Sequence, residues 1–420
     1  MGDRILVIMI LFGIFFALLP LPVFAYLDPG TNRTETMALL REISNAWRFF
    51  SKTPRSEKAI LFYAEHKGDL PYFEGIIREL TQARGRTISY ITSDAGDPVL
   101  AKDDPHVRTF YLKTLLPYLF IYINSDVCAM TVPDLDHLRL RRSLNPVHYI
   151  YVMHTLVSTF RTYRPNALDA YDAIFCAGPH HVEEIRRREE FAKLKPKVFI
   201  EQGYWRLEEV CRKFQEYKNT QRGPASPSQG GQKTILIAPS WGKDNVLELC
   251  GIELVRTLLG EEYKVIVRPH PETTRKSPEL LKSFRDEFSG NQNFILEENI
   301  ASVDSLLEAD LLICDMSGVA VEYAFGTERP VLFIDTPLKV INPNYEELGL
   351  EPVELTLRPL LGPSIDPKDI KNIGGVIKQL FEQKDNYRQK LRDLRARYVF
   401  NFGNSSKIAA DYILSKVDQK

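Results

Sequence analysis

The feature that most constrains the fold is an alternation of short apolar runs with amphipathic stretches, which occurs twice along the chain. The first series extends over residues 56–218 and the second over residues 234–385. Strands that alternate with helices predict a parallel β-sheet covered by helices on both faces. The interval 219–233 is rich in Gly, Pro, Ser and Gln, which is typical of a linker. The sequence therefore predicts an α/β protein with two Rossmann-like domains.

The boundaries of the elements follow from apolar periodicity and from turn residues. The predicted strands are Ala59–Ala64, Thr87–Thr92, Leu119–Ile123, His148–Met153, Asp172–Cys176, Lys197–Glu201, Thr234–Ala238, Tyr263–Arg268, Asn293–Leu296, Asp310–Cys314 and Pro330–Ile334. The predicted helices are Thr34–Phe50, Pro71–Arg84, Asn245–Leu259, Pro278–Phe288 and Ala301–Glu308. A charged helical region from about Lys368 to Lys416 follows, with a C-terminal helix assigned to 386–420.

An uncharged run, Ile5–Ala25, precedes both series. At about 1.5 Å per residue a helix of this length crosses a hydrocarbon core of about 30 Å. A cleaved signal peptide is the alternative, because Val23–Ala25 offers small residues for cleavage. Six basic residues follow the run and a single Arg4 precedes it, which favours an uncleaved anchor with the later domains in the cytoplasm. We therefore expect a membrane anchor at 1–26, single-pass in the inner (cytoplasmic) membrane, and a juxtamembrane helix within 34–55 that lies on the membrane or packs on the protein.

Charge and cysteine usage narrow the function classes. The chain has 54 basic and 55 acidic residues, which gives no global electrostatic basis for binding nucleic acid. Its five cysteines are scattered singly without a CxxC pair, so free thiols in a reducing compartment are expected rather than disulfides or a zinc site. No paired carboxylates with the spacing of a metal site stand out, and no cofactor is expected.

Ligands of open parallel sheets bind beyond the carboxyl ends of the strands, so the polar residues that follow predicted strands are the candidates. Ser240 and Lys243 follow the strand at Thr234 and are suited to a phosphate, with Asn245 as the cap of the next helix; a plain turn is the alternative. Arg268 and His270 alternate with prolines after the next strand, which presents a phosphate-binding fork and a proton donor rigidly.

The turn after the strand at Asp310 is the third cluster. Ser317 and the helix start at Gly318 offer an anion cradle, and Glu322 is placed to accept ribose hydroxyls. Asp315 belongs to the same turn and is a candidate for binding the same ligand. The alternative is that Asp315 or Ser317 caps the helix and Glu322 only interacts with its dipole.

Histidines supply the candidates in the first domain. His154 follows the strand at His148 and is the candidate catalytic base facing the second domain, although a structural role is as frequent for such a residue. His66 is a weaker candidate of the same kind. His180 and His181 precede a helix expected to begin near Val182, where capping or solvation is the expected role.

These clusters, in this order, resemble the CDP-glycerol glycerophosphotransferase family of teichoic-acid polymerases and primases. The matching segments are His154 within Met153–Thr155, Ala238–Trp241 for the Ala-Pro-Thr-Trp strand end, Arg268 with His270 for Arg-x-His, Asp315 with Ser317 for Asp-x-Ser, and the strand Pro330–Phe333. The resemblance implies a GT-B arrangement, a catalytic base at His154 and donor-pyrophosphate contacts at Arg268 and His270. It also implies a CDP-linked donor and a lipid-linked or membrane-associated glycan acceptor.

The chain departs from the family pattern at three positions. Met153 and Thr155 replace Trp and Gly beside the first histidine, and Gly318 replaces the second Ser of the turn. The Ser317–Glu322 segment is also similar to non-hydrolysing UDP-N-acetylglucosamine 2-epimerases, whose Gly-Thr-Arg-Pro-Glu motif is absent here. The expected function is membrane-anchored transfer of a glycerol-phosphate-type group. Another GT-B enzyme, either a sugar-nucleotide glycosyltransferase or an epimerase, and a non-catalytic nucleotide-binding module are the alternatives.

Overall fold

The computed structural model describes residues 33–137, 139–220, 231–298 and 302–418. The apolar run Ile5–Ala25 and most of the predicted linker lie outside these residues. Within them, no helix combines the length and the apolar character that crossing a bilayer requires.

The first domain contains a seven-stranded parallel sheet in the order β3-β2-β1-β4-β5-β6-β7. Its strands are β1 (Ile60–Ala64), β2 (Ile88–Thr92), β3 (Val107–Tyr111), β4 (Val127–Met130), β5 (His148–Val152), β6 (Ala173–Cys176) and β7 (Val198–Glu201). Every residue of β1, β2, β4 and β6 is buried. Burial on both faces explains why these strands appear in the sequence as continuous apolar runs.

The second domain contains a six-stranded parallel sheet in the order β10-β9-β8-β11-β12-β13. Its strands are β8 (Thr234–Ile237), β9 (Lys264–Val267), β10 (Phe294–Leu296), β11 (Leu311–Cys314), β12 (Val331–Ile334) and β13 (Ser364–Ile365). The two parallel sheets confirm the predicted α/β fold.

The helices cover the sheets and connect their strands. The α-helices are Arg33–Trp47, Arg55–Lys58, Leu70–Arg78, Leu116–Leu119, Pro179–Ala192, Trp205–Thr220, Val246–Gly260, Pro271–Lys276, Pro278–Phe288, Asp304–Glu308, Val319–Thr327, Val353–Leu361, Ile373–Glu382, Lys384–Tyr398 and Ser405–Val417. Two π-helical segments, Arg48–Lys52 and Glu79–Ala83, extend the first and third of these helices. Pro278–Phe288 has the predicted bounds, and Asn245 caps its helix as predicted by accepting from Leu247 N and Glu248 N.

One strand prediction is wrong and three strands were not predicted. Leu119–Ile123 is not a strand, because the chain there forms the helix Leu116–Leu119 and a 3-10 turn, Phe120–Tyr122. Pro117 occupies the first turn of that helix, where its missing N–H carries no cost. The strands β3, β4 and β13 were missed. β4 reads Val-Cys-Ala-Met, a composition with little β preference, and β13 has only two residues.

The helix Arg33–Trp47 packs on the first domain, which was one of its two predicted roles. Its Leu39 and Ala46 belong to the core. Glu42 Oε2 accepts hydrogen bonds from the backbone N–H groups of Lys113 and Leu115, both at 2.9 Å. The helix therefore stabilises the turn that follows β3.

The end of the chain returns to the first domain. The single C-terminal helix predicted at 386–420 is wrong, because Lys384–Tyr398 and Ser405–Val417 are separate helices. Val399 has extended backbone angles and ends the first of them. Tyr412 Oη lies 3.0 Å from His148 Nε2, and Arg84 donates to Asp411 at 2.6 Å. The last helix thereby ties the second domain to the sheet of the first.

The two domains also meet directly through a loop that follows β5. The Arg161 guanidinium donates to Glu354 Oε1 of the helix Val353–Leu361, and both side chains are at most 7% exposed. Ser158 N donates to Glu354 Oε2 at 3.0 Å, and Asn342 Nδ2 donates to the Phe160 carbonyl at 2.8 Å. A buried ion pair flanked by backbone contacts fixes how the carboxyl ends of the two sheets face each other.

Candidate functional site

The carboxyl ends of β5, β8, β9 and β11 open onto one cleft between the domains, with a volume of about 460 Å³. The predicted residues that line it are His154, Ser240, Arg268, His270, Ser317, Gly318 and Glu322. Four strand ends that are far apart in the sequence thus contribute to a single site, as the strand-end rule predicts.

His154 occupies the wall formed by the first domain. Its Nδ1 lies 3.2 Å from Tyr151 Oη and its Nε2 lies 3.1 Å from Tyr163 Oη, while Tyr151 donates to Tyr163 at 3.0 Å. The two nitrogens of an imidazole point in nearly opposite directions, so hydroxyls this close together do not both align with them. One ring nitrogen therefore retains hydrogen-bonding capacity for a ligand.

Burial sets the protonation state of His154. Desolvation lowers its pKa below the ordinary value of 6.5, against the opposing effect of the carboxylates of Asp69 and Glu322. The ring is consequently neutral at neutral pH, which is the form in which imidazole accepts a proton.

Asp315 lies beneath the side of the cleft that the second domain forms, and it fixes the backbone there. Its Oδ1 accepts from Ser240 N at 2.7 Å and its Oδ2 from Val246 N at 3.4 Å, and the residue has no exposed surface. Burial raises its pKa. Asp315 therefore holds the loop after β8 and the start of the next helix in place, and it does not face the cleft. Lys243 lies in the same loop but is exposed and is not among the residues that line the cleft.

Arg268 and His270 project from the end of β9. Arg268 Nη1 donates to Ser305 Oγ and its Nη2 to the Ser302 carbonyl, both at 2.9 Å, and 7% of the residue is exposed. His270 Nδ1 accepts from Glu272 N at 3.1 Å and caps the helix Pro271–Lys276. Burial and the nearby Lys339 lower the pKa of His270 to about 4. The neutral ring therefore carries its proton on Nε2 and offers that N–H as a donor.

The turn after β11 contributes Ser317 and Gly318, which precede the helix Val319–Thr327. A Cβ on Gly318 would lie 3.6 Å from Thr155 Oγ1 of the first domain, an ordinary contact. The turn thus approaches the wall that carries His154, and it presents the free N–H groups of a helix start to the cleft.

Glu322 is engaged differently from the prediction. Its Oε1 accepts from Tyr204 Oη at 2.8 Å and its Oε2 from Arg206 Nε at 2.9 Å. Both partners belong to the first domain, and the carboxylate has little exposed surface. In this structure Glu322 therefore joins the two domains across the cleft and is not free for a ribose hydroxyl.

The other candidate histidines do not line the cleft. The His66 side chain is 71% exposed. The helix predicted to start near Val182 begins at Pro179, so His181 lies within it. His181 is fully buried, with Nδ1 accepting from Ala177 N at 3.2 Å, and burial lowers its pKa to about 4. The prediction of a solvated or capping His181 is wrong.

Several residues of the cleft were missed from the sequence, namely Tyr72, Arg161, Tyr163, Arg206 and Lys339. Arg206 and Lys339 follow β7 and β12 by five residues each, so a wider window after every strand would have found them. Tyr163 lies in a loop without any such signal. Among the residues that the structure describes, no group of three or more His, Cys, Asp and Glu side chains is arranged to hold a metal ion.

Comparisons with known proteins agree with the family resemblance that the sequence motifs indicate. The structure of the wall teichoic acid polymerase TagF matches with a TM-score of 0.60 at 18% identity, covering 92% of this chain and 96% of that chain. A putative UDP-N-acetylglucosamine 2-epimerase from Listeria monocytogenes matches with a TM-score of 0.53 at 13% identity, covering 86% and 96%. At these identities the matches show the fold. A search of curated proteins found no match.

The decisive comparison is with sequence families. The family described as CDP-Glycerol:Poly(glycerophosphate) glycerophosphotransferase matches residues 166–414, more than half of the 420 residues. The matched region contains the whole second-domain wall and begins after His154. From this match, the chain belongs to the CDP-glycerol:poly(glycerophosphate) glycerophosphotransferase family and is a transferase.

Proposed function

We propose that the protein transfers a glycerol-phosphate-type group from a CDP-linked donor to a membrane-associated glycan acceptor. One observation carries the proposal. A neutral histidine, His154, on one domain faces a wall of anion-binding groups, His270, Ser317 and the helix start at Gly318, on the other. A base opposite a phosphate site is the arrangement that transfer of a phosphoryl-linked group to a hydroxyl requires.

The reaction follows from the two walls. His154 accepts the proton of an acceptor hydroxyl, whose oxygen forms a bond to the phosphorus atom nearer the transferred polyol. The bond from that phosphorus to the bridging oxygen breaks, and CMP leaves with the electron pair. The Nε2–H of His270, the Ser317 hydroxyl and the N–H groups at Gly318 stabilise the negative charge on the phosphates.

The acceptor and the location belong to the same proposal. The run Ile5–Ala25 anchors the chain in the cytoplasmic membrane, and the catalytic domains remain in the cytoplasm, where nucleotide-linked donors are made. An anchor confines the enzyme and a lipid-linked glycan to one surface, which raises their effective concentration.

The test is release of CMP by the purified full-length protein from CDP-glycerol in the presence of a membrane fraction. We expect CMP release from CDP-glycerol, and we expect no release of uridine or guanosine nucleotides when UDP-linked or GDP-linked donors replace it. A His270→Asn variant separates the two roles of the histidine, because Asn keeps the helix cap but lacks the ring N–H. We expect this variant to lose about 10²- to 10³-fold in CMP release.

Two outcomes would count against the proposal. Consumption of a UDP-linked donor in preference to CDP-glycerol would show that the donor is wrong. Wild-type activity in His270→Asn would show that the ring contributes only the cap.

A further inference from the structure

The cleft is lined by four cations, and three of them are already engaged by the protein. Arg161 is paired with the buried Glu354, and Arg206 donates to Glu322 at 2.9 Å. Arg268 donates to Ser305 Oγ and to the Ser302 carbonyl. A diphosphate entering the cleft therefore needs a positive charge from elsewhere, because charged phosphates are bound with charge-assisted contacts.

Lys339 is the fourth cation. Its Nζ lies 3.2 Å from the centroid of the Trp241 ring, and the side chain is half-buried. Within the described part of the chain, no carboxylate lies within 4.0 Å of this ammonium group. Lys276 also lies over the Trp241 ring, at 4.2 Å, but it forms an ion pair of 2.9 Å with Glu272. Lys339 is thus a charge held in the cleft by an aromatic face, which is a weak partner compared with an anion.

The backbone around Lys339 is fixed by the first domain. The Lys339 carbonyl accepts a hydrogen bond from Arg161 Nη1. The N–H groups of Ile341 and Asn342 donate to the Arg161 carbonyl at 3.2 and 3.1 Å. The ammonium group is therefore presented to the cleft by a segment that is already ordered, so binding an anion costs little additional conformational entropy.

We propose that Lys339 binds the diphosphate of the nucleotide-linked donor, together with the Nε2–H of His270. The inference rests on the proposed function and adds a residue that the family motifs identified in the sequence do not include. Trp241 positions the ammonium group between the loops that follow β8 and β9, where the Ser240 and His270 side chains also line the cleft.

The electrostatics around Lys339 agree with this role. The pKa of Lys339 is lowered to about 8, mainly by burial and further by the charges of Lys276 and Arg161. The carboxylates of Asp315 and Glu272 act in the opposite direction. The neutral ring of His270 faces it as well. A bound diphosphate would oppose the desolvation and would favour the charged form.

The experiment measures the affinity of the full-length protein for CDP by calorimetry. We expect Lys339→Ala to weaken CDP binding by about 10- to 100-fold and to leave the weaker binding of cytidine, which lacks phosphates, unchanged. Lys243→Ala is the matched control, because Lys243 belongs to the same domain but is exposed outside the cleft. This control should bind CDP as the wild type does.

A pH series provides a second measurement on folded protein. Wild-type affinity for CDP should fall as the pH rises from 7.5 to 9.5, since Lys339 loses its proton near pH 8. Lys339→Arg, which stays protonated, should retain affinity across the range. Equal CDP affinity in Lys339→Ala and the wild type would overturn the inference alone. A wild-type protein that binds no CDP and releases no CMP would overturn the proposed function as well.

Discussion

His154 illustrates how a single residue acquires reactivity from its surroundings. It lies two residues after the end of β5, against the hydroxyls of Tyr151 and Tyr163, and burial lowers its pKa. The same desolvation that destabilises imidazolium keeps the ring in its basic form at neutral pH. In the reaction proposed above, His154 is the group that removes the proton from the acceptor hydroxyl.

We expect His154→Gln to reduce CMP release by about 10²- to 10⁴-fold, because general base catalysis contributes roughly that factor. Its affinity for CDP should not change, since the donor-binding groups belong to the other domain. In the wild type, CMP release should fall with acidification only below pH 6.5, where His154 becomes protonated. The measurements are initial rates of CMP release against pH and CDP affinity.

His66→Gln is the control for this prediction. His66 also follows a strand of the first sheet, but its side chain is 71% exposed. We expect His66→Gln to retain wild-type rates. A His154→Gln variant with the rate of His66→Gln would remove His154 from the mechanism.

At the scale of the elements, the sequence predicted strand ends better than side-chain partners. The candidates Ser240, His270 and Ser317 converge because every parallel strand delivers its carboxyl end to the same edge of the sheet. This depends only on chain order and periodicity. Glu322 and Asp315 were assigned to the ligand, but tertiary neighbours occupy their carboxylates, and no local pattern reveals such partners.

The same limit explains the errors in secondary structure. Leu119–Ile123 has strand-like composition, yet the packing of the preceding Leu116 and Pro117 turn makes it helical. Tertiary context overrides weak local preference most readily in segments this short. Long, strongly periodic segments such as Pro278–Phe288 were predicted with their observed bounds.

The helix Pro179–Ala192 carries two buried groups with opposite effects on pH-dependent stability. Burial raises the pKa of Glu184 to about 7 and lowers that of His181 to about 4. The folded protein holds the Glu184 proton up to about pH 7, whereas the unfolded chain releases it near pH 4.5. The contribution of Glu184 to the free energy of unfolding therefore decreases as the pH rises from 4.5 to 7. The folded protein keeps His181 neutral down to about pH 4, whereas the unfolded chain protonates it near pH 6.5. The contribution of His181 to the free energy of unfolding therefore decreases as the pH falls from 6.5 to 4. The two effects largely cancel between pH 4.5 and 6.5.

We expect Glu184→Gln to remove the pH dependence of stability that comes from Glu184. Gln can still accept from Thr159 N and Thr159 Oγ1, which contact Glu184 Oε2 at 2.9 and 3.0 Å. The free energy of unfolding of the variant, relative to the wild type, should increase by about 2.5 kcal/mol between pH 5 and pH 8. Denaturant titrations at both pH values measure this difference. Glu183→Gln, at the exposed neighbouring position, should show no such change, and a flat difference for Glu184→Gln would show that its pKa is ordinary.

On the scale of the whole molecule, the cleft exists because the two domains are held in one orientation. The contacts that cross between them are of two kinds. Arg161–Glu354 is a buried pair whose arginine also lines the cleft, and Arg206–Glu322 is a less buried pair at the same lining. The helix Ser405–Val417 also packs on the first domain, where Tyr412 Oη lies 3.0 Å from His148 Nε2. We expect the removal of any one of these contacts to lower the free energy of unfolding and to change the distance between His154 and the opposite wall.

The pair Arg161–Glu354 gives the strongest test of this arrangement. Glu354→Gln leaves the buried guanidinium of Arg161 without a counter-charge, and breaking a buried pair from one side costs about 3–5 kcal/mol. We expect the free energy of unfolding to fall by that amount and the rate of CMP release to fall with it, because the two walls lose their fixed separation. Glu351→Gln, three residues away at an exposed position, should match the wild type in both measurements.

A double variant shows whether the loss comes from the unpaired charge. Arg161→Met combined with Glu354→Met removes both charges and leaves no buried ion without a partner, so it should be more stable than Glu354→Gln. Its CMP release should nevertheless remain low, because Arg161 also donates to the Lys339 carbonyl and so orders the segment that presents the ammonium group to the cleft. If the free energy of unfolding recovers and the rate of CMP release does not, the lost rate comes from the changed orientation of the domains and not from unfolding. Recovery of both would show that the pair has no part in shaping the cleft.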